Sequence, residues 1–182
     1  MVWASKLGPA ADSLDVVQGE LSDGDRVASV IAGADAVISA LGPSLSPWAT
    51  GTPVTDGTRA IVDAMTAAGV RRYVGIATPS VADERDAPTF TGWFLPGLAR
   101  LTMPHAFVEV VGMTEIVSRS DLDWTIARIT NPVDRRAKGT VRAGFLGRDQ
   151  VGWTMTRLDI AAFLVNQLFD KTYIRAAPVI SN

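Results

Sequence analysis

The chain contains no cysteine, which excludes disulfides, thiol nucleophiles and cysteine-ligated zinc and agrees with a reducing compartment. It has a single histidine, His105, which follows a proline at a helix start with no acid or nucleophile at a telling spacing. Hydrolytic chemistry is thereby set aside, and a surface or capping histidine is expected. No run reaches the ~18 apolar residues of a membrane span, and the first residues lack a secretory apolar core. Seventeen basic residues stand against nineteen acidic ones. The one basic patch, Arg135 to Arg142, reads as a solvated loop, so neither nucleic acid nor a membrane is expected as partner, and the expected location is the cytoplasm. Asp83, Glu84 and Asp86 lack the ligand series of a calcium loop and read as a solvated turn. Asp121 and Asp123 flank a helix-to-strand turn, where short acceptors cap backbone amides.

What remains is a chain of 182 residues, 47% apolar, read as one domain without repeat or linker. A short apolar run, Ala36 to Leu41, lies between Gly33 and the breaker Gly42-Pro43, the pattern of a parallel strand buried on both faces. Its carboxyl end is where a ligand crevice would open. Ahead of it, Leu14 to Gln18 reads as a strand, and Ser22 or Asp23 caps a helix with Val27, Val30 and Ile31 at helical spacing. Val2-Trp3 to Pro9 reads as a strand end running into a loop.

After the loop from Gly42 to Pro53, a helix capped near Thr55 or Asp56 puts Ile61, Ala64, Met65 and Ala68 on one face. Gly69 ends it before the strand Tyr73 to Ala77. This β-α-β-α-β alternation predicts a parallel sheet. Thr78 to Pro104, interrupted by prolines, predicts a loop and a broken helix, either a substrate lid or a helix packed on a sheet edge. A helix over 105–119 then leads into the strand Asp123 to Arg128. Weaker strands follow near Thr140 to Ala143 and Gly152 to Met155. Thr156-Arg157-Leu158-Asp159 has capping-box spacing and opens a helix to Phe169, with Leu158, Ala161, Ala162, Val165 and Leu168 as its expected buried stripe. Ala177 to Ile180 is a final strand.

The segments Gly19-Glu20-Leu21, Gly33 to Gly42, Gly69 to Val74, Ser120 to Arg128 and Asp159 to Leu164 occur in the order and at the spacing of a known family. The chain resembles the atypical short-chain dehydrogenase/reductases, the NmrA-like and biliverdin/flavin-reductase-like NAD(P)-binding group. The resemblance implies a Rossmann-like, doubly wound parallel sheet lacking the first strand, first helix and most of the second strand. It places Gly19, Glu20 and Leu21 beside adenine, Ala40, Leu41 and Gly42 beside ribose and pyrophosphate, Ala77 and Thr78 near nicotinamide, and Ile129 and Thr130 toward the carboxamide. The implied ligands are NAD(P)H and a small-molecule substrate.

Departures from the pattern carry as much weight. No glycine-rich phosphate motif occurs anywhere, so weak or absent NAD(P)H binding is expected of this chain. Lys6 is the one cation near the place where a 2′-phosphate is held, which leaves NAD against NADP open. Counted back from Glu115, the Tyr and Lys positions of the Tyr-x-x-x-Lys pair fall on Phe107 and Val111, which move no proton. The alternative pair implied by the reductase branch corresponds to Thr78 and Asn131. Thr78 would orient a carbonyl or a water, and Asn131 would hydrogen-bond. The resemblance leaves two functions standing: a reductase of a small quinone, flavin or carbonyl compound, or a non-catalytic dinucleotide sensor. It further implies that the upstream DNA encodes roughly 30 to 40 more residues with the glycine turn. Without them, an uncovered sheet edge leaves self-association open.

Overall fold

The computed structural model describes residues 14–46 and 48–182, so the strand end and loop expected at Val2 to Pro9, with Lys6, lie outside the described residues. Helices and strands alternate: α1 (Gly24–Ile31), β1 (Ala36–Ser39), α2 (Pro53–Ala68), β2 (Arg72–Ala77), α3 (Phe90–Thr102), α4 (Pro104–Ser118), β3 (Asp123–Ile129), β4 (Pro132–Val133), β5 (Arg142–Gly144), β6 (Met155–Thr156), α5 (Arg157–Asn166) and β7 (Val179–Ser181). The main sheet has the order β1-β2-β3-β7-β5, parallel except for β5, and β4 pairs with β6 apart from it. Among the described residues, no helix is long and apolar enough to cross a membrane.

Side chains alternate across each central strand and feed two cores. Tyr73 and Ala77 of β2 join Trp124 and Ile126 of β3 under Ile31, Ile61, Met65, Val110 and Val117 from α1, α2 and α4. On the other face Val74, Ala127, Ile129 and Ile180 meet Ile160, Phe163 and Leu164 of α5. Helices thus cover both faces of a mostly parallel sheet, the doubly wound arrangement. Asp23 caps α1 through Arg26 N, and Gly69 ends α2 at φ 72°, both as the sequence predicts.

Several expectations change. Residues 14–18 form no strand, and Leu14, Val16 and Val17 are exposed. A strand is stable only against a ladder partner, and these residues pair with none among the described strands. β1 is shorter than expected and is not buried on both faces: among the described strands it pairs with β2 alone, and Ile38 is 39% exposed. α2 begins at Pro53 after Thr52, earlier than expected, and Ala68 is exposed while Val54, Thr58 and Val62 turn inward. α3 is continuous through Pro96.

The largest correction concerns α5. Its expected stripe is mostly outside: Leu158 and Val165 are exposed along with Ala161 and Ala162, while Asp159, Ile160, Phe163, Leu164 and Gln167 are buried. Apolar residues occur nearly all round this helix, so periodicity selects no unique face. Asp159 sets the rotation. Its carboxylate accepts from Lys138 N (2.8 Å), Gly139 N (3.0 Å) and Thr156 Oγ1 (2.6 Å), and from the Asn182 amide. These bonds hold the carboxyl below its ordinary range, led by the Thr156 hydroxyl. A carboxylate so bound turns its own side of the helix inward.

Candidate functional site

Parallel strands deliver their carboxyl ends to one edge of the sheet. Ser39 lies opposite Gly75, and Ala77 opposite Arg128. Ala40-Leu41-Gly42, Ala77-Thr78 and Ile129-Thr130-Asn131 therefore leave β1, β2 and β3 along that edge. Leu21 reaches it too, since a Cβ on Gly57, near the start of α2, would lie 2.7 Å from Leu21 Cδ1. Gly19, Glu20 and Leu21 line a 230 Å³ cleft with Arg26, Val37 and Ile61. A second cavity of 280 Å³ joins Pro79, Thr130 and Val179 to Leu95, Leu146 and Trp153.

The candidate residues are not equivalent. Thr78 is exposed, its Oγ1 2.5 Å from Ser80 Oγ. Asn131 is exposed at the side chain, while its carbonyl accepts from Met155 N (3.2 Å) and ties β4 to β6. Ala77 and Ile129 are buried in opposite cores, so only their main chains can face a ligand. Gly42 stands in open space.

The acidic cluster is a solvated turn only at Glu84, which is exposed; Asp83 and Asp86 are partly buried and paired. Asp86 takes both arms of Arg128, at 2.6 Å and 2.7 Å, and also accepts from Leu146 N and Asp83 N. Burial of Asp86 opposes its ionisation, but the Arg128 bonds with the two amides outweigh it and hold the carboxyl below its ordinary range. Asp83 accepts from Ala177 N at 2.7 Å. These acids tie the loop after β2 to β3 and β7, because buried charge persists only when paired. His105 caps no helix; its Nε2 lies 2.8 Å from Gly51 O in the loop that leads into α2.

Glu109, on α4, carries no signal in the sequence. It is 1% exposed and accepts from Val54 N (3.0 Å), Thr55 N (2.8 Å) and Thr55 Oγ1 (2.6 Å), so it caps α2 from another helix. Burial pushes its carboxyl up, but Thr55, the two amides and His105 more than offset this. The amides at the start of α2 would otherwise be free for an anion. The chain's two tyrosines are both built into the fold, Tyr73 by burial and Tyr173 by a hydrogen bond. Tyr73 lies over Gly75 with its phenol pushed up by burial, and Tyr173 donates to Ala143 O at 3.1 Å.

A dinucleotide can be tested against these residues. The cleft at Gly19 to Leu21 has apolar walls for a flat base and the Glu20 carboxylate at its rim. Thr78 and Thr130 offer hydroxyls at the other end. Between them Glu109 occupies the start of α2, which closes that helix terminus to a diphosphate and leaves the main chain of Ala40, Leu41 and Gly42 beside it.

A family profile described as NAD(P)H-binding matches residues 4–171. No curated protein matches the chain. Among solved structures, ChuY, an anaerobillin reductase from Escherichia coli O157:H7, is 20% identical with a TM-score of 0.75, over 98% of this chain and 79% of that one. A short-chain dehydrogenase/reductase from Veillonella parvula in complex with NADP is 15% identical with a TM-score of 0.71, over 98% and 78%. Their likeness establishes the fold as Rossmann-like α/β. The profile covers most of the sequence, and the chain belongs to the NAD(P)H-binding family.

Proposed function

We propose that the protein is an NAD(P)H-dependent reductase of a small quinone, flavin or carbonyl compound. The observation that carries this reading is the Thr78–Ser80 hydroxyl pair just past the end of β2, which flanks Pro79, itself a wall of the 280 Å³ cavity together with Thr130. When bound, the cofactor supplies a hydride. Thr78 would orient the acceptor oxygen or a water, and the Asn131 amide would donate a hydrogen bond to it. Neither group releases a proton near neutral pH, so the proton comes from solvent.

A second reading, an NmrA-like dinucleotide sensor without catalysis, is favoured by Phe107 and Val111 at the expected Tyr and Lys positions. The structural commitment of both tyrosines points the same way. Incubating the protein with NADH or NADPH and either menadione or a flavin decides between them. Acceptor-dependent oxidation of the cofactor supports the reductase. Cofactor binding without oxidation supports the sensor.

A further inference from the structure

α3 is built inside out. Phe90 (74% exposed), Trp93 (76%) and Leu101 (82%) face solvent, with Phe94 and Leu98 beside them on the same helical face, while Gly92, Leu95 and Ala99 turn toward the protein. A soluble helix hides its large apolar side chains, and none of the described residues covers this face. Phe90 and Phe94 stack at 5.5 Å, which fixes them as an outward shelf.

The surface continues into the loop after β1. Ser44, Leu45 and Ser46 form a 180 Å³ cleft with Thr102 to Ala106, and Leu45 and Trp48 are exposed. Charge separates along this surface. Residues 40–52 contain no charged side chain, and residues 87–108 contain Arg100 and His105 but no acid, although the whole chain has nineteen acids and a net charge of −2. An aromatic and aliphatic face that bears a cation and excludes carboxylates complements an anionic lipid surface. Trp and Phe suit its headgroup boundary, and apolar area together with cation attraction sets the binding strength.

We infer that the outer face of α3, together with the exposed side chains of Leu45 and Trp48, docks the protein onto an anionic bilayer surface, without crossing it. Neither a search for spans nor a search for basic runs detects such a face, because it is assembled from two separate segments. This is why the sequence gives no reason to expect a membrane partner.

Pelleting with sucrose-loaded vesicles tests the inference. Vesicles of phosphatidylcholine with about 30% phosphatidylglycerol should retain the protein about fivefold better than phosphatidylcholine alone, the contribution of one arginine at the surface. The variant Trp48→Ser/Trp93→Ser/Leu101→Ser, altered only at exposed positions, should lose about tenfold or more in partitioning while keeping its circular dichroism and melting temperature. Arg100→Glu should erase the preference for phosphatidylglycerol. Absence of pelleting at millimolar lipid would overturn the inference, as would pelleting that the triple variant leaves unchanged. So would a lipid-free dimer, seen by light scattering, that the triple variant dissociates, since a second copy would then be the occupant.

Discussion

Arg128, fully buried on β3, is held by Asp86 through two charge-assisted hydrogen bonds of 2.6 Å and 2.7 Å, and its Nη1 also donates to Val81 O at 2.9 Å. The pair fastens the loop after β2 across the strand ends, beside the residues that would meet a ligand. Such a pair stabilises through the cost of breaking it, because the partner left behind is a charge without compensation.

Asp86→Asn should therefore lower stability by about 3–5 kcal/mol, measured by urea denaturation at neutral pH. Replacing both partners with apolar residues should recover much of that loss. The Asp86 carboxyl is held below its ordinary range in the fold, so its contribution is present above the unfolded pKa and disappears as pH falls through the folded one. The difference between wild type and Asp86→Asn should accordingly narrow in acid.

Glu109→Gln leaves a side chain of the same size that cannot accept from both Val54 N and Thr55 N. A loss of about 1–3 kcal/mol is expected at neutral pH. The same linkage applies, since the folded Glu109 carboxyl also lies below its ordinary range. The loss should be full above about pH 5 and fade below about pH 4. Thermal melts across that interval measure it, and a constant difference at every pH would contradict the capping role.

If Thr78 orients the acceptor, Thr78→Ala should reduce kcat/KM with menadione about tenfold, the effect of losing one well-placed hydrogen bond. Thr78→Ser should retain most of the activity. Steady-state rates at fixed NADPH provide the measurement. An unchanged rate in Thr78→Ala would shift the reading to the sensor.

Cofactor affinity should be micromolar or weaker, because Glu109 occupies the start of α2 and the sequence carries no glycine-rich phosphate motif. Fluorescence titration of NADH and of NADPH measures it. Submicromolar binding of either would show that a phosphate site exists outside the described residues.

The alternation of strands and helices from α1 onward, apart from the continuity of α3, was legible in the sequence, as were the Asp23 and Thr156 caps and the left-handed Gly69. These features are local: a cap needs a short side chain at one position, a left-handed turn favours glycine, and a parallel strand shows as a brief apolar run. Which face of α5 is buried is a tertiary matter, because three donors from distant segments, Lys138 N, Gly139 N and the Asn182 amide, join the Thr156 cap on Asp159 and the helix is apolar nearly all round. Only the structure joined Asp86 to Arg128 and Glu109 to the start of α2, since the partners lie 42 and more than 50 residues apart along the chain. Periodicity reports an element's own faces, whereas the pairing of buried charges depends on which elements meet in space.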